Sequence, residues 1–68
     1  MTEKETLLYQ CFCKVFNDYP EDNSTKKMLI EKYCKDFVLK YPDKQFYEIV
    51  ELEKINMKII FNFPSLPM

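Results

Sequence analysis

Three groups of residues in this chain are of types that do chemistry. They are the thiols Cys11, Cys13 and Cys34, the carboxylates Glu48, Glu51 and Glu53, and the amines Lys26, Lys27, Lys32, Lys35, Lys40 and Lys44. The thiols suggest metal, yet zinc takes four Cys or His ligands, with close pairs at C-x₂₋₄-C spacing. Here there are three Cys and no His, and the close pair is C-x-C. On a helix Cys11 and Cys13 point about 200° apart and cannot both reach one ion. Cys11 and Cys34 are expected instead as small core residues on facing helices. Cys13, at the edge of its apolar arc, is expected to be exposed and open to oxidation. No metal or cofactor is expected.

The carboxylates could form an acid–base pair, but each sits beside strong apolar positions, where acidic residues form the solvated side of an amphipathic element. The rest of the catalytic repertoire is missing. Without His there is no common general base and no usual triad. Without Gly there is no phosphate-cradling loop, and without Arg no bidentate clamp. A chain of 68 residues also has little room to enclose a substrate. The chain is read as carrying no self-contained catalytic site.

The lysines gather in and around 24–40, with Tyr33 and Tyr41 nearby, and suggest phosphate contact. Against this, Tyr33 and Tyr41 fall on the apolar stripe rather than among the lysines, and Asp22, Glu31 and Asp36 dilute the patch. Net charge is −1, so no strong field draws nucleic acid or an acidic membrane. A nucleic-acid-associated regulator is the second reading.

Elements must hold these residues in place. Thr2 with Glu5 has capping-box spacing and opens a helix over 2–17. Its apolar arc, Leu7, Leu8, Cys11, Phe12, Val15 and Phe16, spans about 180°, and Tyr9 and Cys13 widen it. One contact needs only about 100°, so this helix is expected to pack on two sides. Residues 18–24 break the chain at Pro20, and Asn23 or Ser24 caps a second helix running to Lys40. Its stripe is Ile30, Tyr33, Cys34, Phe37 and Tyr41, with Val38 beside it, and Pro42 ends it. Residues 43–52 read as a short third helix starting near Asp43, or, over 46–52, as a strand. Residues 54–63 alternate apolar and polar, the signature of a half-buried strand. The tail 64–68, with Pro64 and Pro67, is expected to be extended.

The expected fold is therefore α+β and a single small domain over 1–68. It comprises two amphipathic helices, a short third helix or strand, and a C-terminal strand with an extended tail. Hydrophobic residues at 47% argue against intrinsic disorder. No apolar run reaches the ~18 residues of a membrane span. The mixed-charge start is not a signal peptide, so a cytoplasmic location with reduced thiols is expected.

The remaining feature is apolar surface. Met28 and Leu39 fall on the outer face of the second helix among Lys32 and Lys35. Ile55, Met57, Ile59, Phe61 and Phe63 would line one buried face of a strand whose free edge awaits a partner. These residues are the expected partner-binding set, and the partner is another protein or a second copy of the chain. Lys-only basic residues with abundant Ile, Asn, Phe and Tyr indicate an AT-rich genome. In size and composition the chain resembles short stand-alone regulators and host-protein inhibitors of phages and mobile elements. That resemblance implies protein–protein binding in the host cytoplasm. A structural small subunit of a larger assembly is a further reading.

Overall fold

The computed structural model describes residues 1–62. They form three helices, α1 (Glu3–Phe16), α2 (Ser24–Lys40) and α3 (Phe46–Phe61). Thr2 caps α1 as expected, its hydroxyl accepting from Glu5 N at 3.3 Å. The far end of α1 needs a left-handed residue to close it, and the chain has no Gly. Asn17 takes that conformation (φ 50°), at the small penalty Asn tolerates. Its N–H reaches Lys14 O and that of Asp18 reaches Cys13 O, the paired bonds of a Schellman closure. Asn23 caps α2 through its side chain, bonded by Lys26 N at 3.0 Å. α2 stops at Lys40, before Tyr41-Pro42, as expected.

The fold is all-helical rather than α+β, and no strand occurs among the described residues. Across the expected short helix over 43–52 and the expected strand over 54–63, residues Phe46–Phe61 form one 16-residue helix. It starts at Phe46 rather than Asp43, where the Glu48 carboxylate turns back to accept from Gln45 N at 2.7 Å. The physical reason is that a strand over 54–63 needs a second strand to pair with. A hairpin back to 46–52 would have to turn at Glu53-Lys54 without the Gly such turns want, whereas a helix satisfies its backbone within itself. Phe63 and the tail 64–68 lie outside the described residues.

α2 runs antiparallel to both other helices. Lys4 at the start of α1 donates to Tyr41 O at 3.1 Å at the end of α2. The ends of α1 and α3 meet where Phe16 and Phe61 stack, ring centres 4.7 Å apart. Phe12 lies at the middle of this core, 6.1 Å from the Phe37 ring and 6.5 Å from that of Phe61. Leu8, Ile30, Ile49, Val50 and Met57 complete the core. Each large side chain buried this way contributes ~1.5–3 kcal/mol.

α1 packs on two sides, as its wide arc requires, but the arc is rotated from the expected one. Tyr9 and Cys13 are buried, whereas Val15 is exposed. The cysteine expectation changes accordingly. Cys13 is buried with Cys34, and Cys11 is the half-buried one. Tyr9 and Cys13 share one side of α1, four residues apart, and that side is covered.

Candidate protein-binding face

One turn of α3 is 3.6 residues, so the helix can carry separate apolar rows on opposite sides. The inner row is Phe46, Ile49, Val50, Met57 and Phe61, with Met57 1% and Phe61 4% exposed. Opposite them stand Leu52 (53% exposed), Ile55 (78%) and Ile59 (68%). Spacings of three and four put these three within about 60° of one another. Nothing in the chain's described residues covers them. Glu48 and Asn62 close the two ends of the row. Glu51 and Lys58 lie on one flank and Asn56 on the other. Glu51 also accepts from Lys54 at 2.9 Å, an exposed pair of small energetic consequence.

The expected binding residues are thus divided. Ile55 and Ile59 share the exposed face. Met57 and Phe61 belong to the core, and Phe63 lies outside the described residues. The expectation that all five share one buried face fails because residues two apart on a helix point about 200° from each other. Leu52 was missed. Its signal was the 52–55–59 spacing, hidden while the segment was read as a strand. On α2, Met28 and Leu39 are exposed on the outer side, with Lys32 and Lys35. Eleven positions separate the two apolar residues, about 16 Å along the helix, with Lys32, Lys35 and Asp36 between them. Leu29, next to Met28, is also partly exposed, but Met28 and Leu39 form no continuous row, and scattered apolar residues of this kind are found on any surface.

Other places in the molecule gather less. Burial pushes the Cys34 thiol up to about 12, and burial likewise raises that of Cys13. Both stay protonated at neutral pH and are weak nucleophiles. Among the described residues no group of three or more Cys, Asp or Glu could hold a metal ion. A shallow cleft of about 550 Å³ beside α1 is lined by Tyr9, Gln10, Lys14, Tyr19, Glu21 and Glu31, among others. Its charges alternate in sign, and it concentrates no field on a ligand.

Glu53 is the one buried charged residue among those described, and it faces inward from α3. Its carboxylate accepts from the Tyr41 hydroxyl at 2.5 Å, the Asn56 amide at 2.8 Å and the Lys40 ammonium at 3.1 Å. Burial alone would raise its pKa, but the bonds from Tyr41, Asn56 and Lys40 outweigh that and hold it below the usual carboxylate range. Every acceptor is occupied by a structural donor, which makes Glu53 a tie between α2 and α3. Comparison with known protein families, with curated proteins and with solved structures finds no match to the chain.

Proposed function

We propose that this protein is a non-catalytic protein-binding module, regulatory or inhibitory in role, and that the outer face of α3 is its binding face. The observation that carries the reading is the row Leu52–Ile55–Ile59, exposed on a helix whose opposite side is already buried in the domain's own core. A helix that is apolar on one side is satisfied by its own domain, and one apolar on two sides has a second surface to bury. Presentation of residues at i, i+3 and i+7 is the form in which helices enter apolar grooves or pair with other helices. A cytoplasmic setting accords with three unpaired thiols. No helix of the described residues is long and apolar enough to cross a membrane.

The nucleic-acid reading has less behind it, because Lys32 and Lys35 share their face with Asp36, Met28 and Leu39. A photo-crosslinking residue at position 55, expressed in the native source, should capture a protein that the same group at position 35 does not. Equal capture at both positions, or capture only at 35, would remove the α3 face from consideration.

A further inference from the structure

The charges beside the apolar row of α3 identify what fits it, on the reading that this row is the binding face. Glu51 and Lys58 lie on the same flank, seven positions apart and opposite in sign, with Lys54 further out on that side and bonded to Glu51 at 2.9 Å, while the other flank offers the neutral Asn56. We propose that the occupant is a second copy of this chain, its α3 laid antiparallel across the first, with Leu52 of each copy against Ile55 of the other.

The choice follows from comparing the ways two such rows can meet. In a parallel pair Glu51 meets only neutral Asn56, and Glu48 faces Glu48. In an antiparallel pair that seats Ile55 on Ile59, the two Lys58 side chains come together. Seating Leu52 on Ile55 instead places Glu51 beside the second copy's Lys58, twice over by symmetry, as a two-fold interface requires. Ile59 then lies over the stem of Glu48, whose carboxylate is held away at Gln45 N. With a net charge of −1, long-range repulsion between copies is slight. The 16 residues of α3 span about 24 Å. One such helix pair falls below the ~800 Å² per partner of a standard interface, so the dimer is weak, with a dissociation constant in the micromolar range or above.

Sedimentation equilibrium on the full chain, from micromolar to millimolar concentration, tests this. The wild type should move from the mass of one chain toward that of two. Ile55→Lys, with unchanged circular dichroism, should raise the dissociation constant by roughly 30-fold or more, as loss of a central contact does. Ile55→Asn, which adds no charge, should act in the same direction. Glu51→Lys should weaken the dimer, more at low salt than at high, and Glu51→Lys with Lys58→Glu should restore it. A wild type that stays monomeric at millimolar concentration overturns the self-pairing, while the crosslinking result at position 55 judges the binding face separately. A dimer indifferent to Ile55→Lys and Ile55→Asn overturns both. A double charge swap no better than the single one overturns the antiparallel arrangement.

Discussion

The side chain of Glu53 shows how a buried charge can be retained in so small a core. Three donors satisfy it, and their combined effect keeps the folded-state pKa below that of the unfolded chain, against the opposing effect of burial. The unfolded state therefore binds more protons on the acid side, and stability falls as pH falls. The contribution is fully present above the unfolded value of about 4.3 and disappears as pH drops through the lower folded value. Urea midpoints measured across that range should fall steeply for wild type and less steeply for Glu53→Gln. Glu53→Ala should cost about 1–3 kcal/mol at neutral pH, since it leaves the Tyr41 hydroxyl without its acceptor. The thiols offer a second test at this scale. A disulfide reagent at mildly alkaline pH should modify half-buried Cys11 first. Cys13 and Cys34, buried and held protonated, should react only as fast as the domain opens. Three equally fast modifications would contradict the core described here.

At the scale of the element, α3 separates stability from binding along one helix. Met57→Ala should cost about 2–5 kcal/mol, because it opens a cavity in the core. At concentrations where the chain is monomeric, Ile55→Ala and Ile59→Ala should change the melting temperature little, as surface substitutions do. Proline at Lys58, harmless on a free strand edge, should cost about 3 kcal/mol or more inside this helix. The same helix explains what the sequence disclosed and what it hid. α1 and α2 were legible from Thr2, Asn23 and Pro42 and from apolar spacing. In α3, two rows of period four, Ile55–Ile59 outside and Met57–Phe61 inside, interleave with an offset of two. Their sum mimics the alternation of a strand. The alternation therefore selects two of the three residues of the candidate face, Ile55 and Ile59, for the wrong reason, and it passes over Leu52, which does not fit it. The absence of Gly at Glu53-Lys54 was the available signal against two strands. The rotation of α1 that buries Cys13 had no comparable signal, because it depends on where α2 docks.

Across the whole molecule, Phe61 of α3 is a residue at which all three helices meet. Its ring stacks on Phe16 and lies 6.5 Å from that of Phe12. Its carbonyl accepts from Lys26 of α2 at 2.6 Å. Phe61→Ala should cost roughly 3–5 kcal/mol, much of the stability of a chain of 68 residues, which is about 3–10 kcal/mol by size. A domain this marginal gains measurably from any partner that binds only its folded form. If that partner is a second copy, stability becomes a function of protein concentration. Once the chain is mostly dimeric, each tenfold rise in concentration adds about 0.7 kcal/mol per chain, half the usual 1.4 for a tenfold change. For a domain of this length that corresponds to about 3–6 °C in melting temperature. Thermal melts of wild type should therefore shift upward with concentration by that amount, while those of Ile55→Lys should superimpose at all concentrations. A wild-type midpoint independent of concentration up to the millimolar range would mean that the folded chain stands alone, with the Leu52–Ile55–Ile59 row left for a different protein to cover.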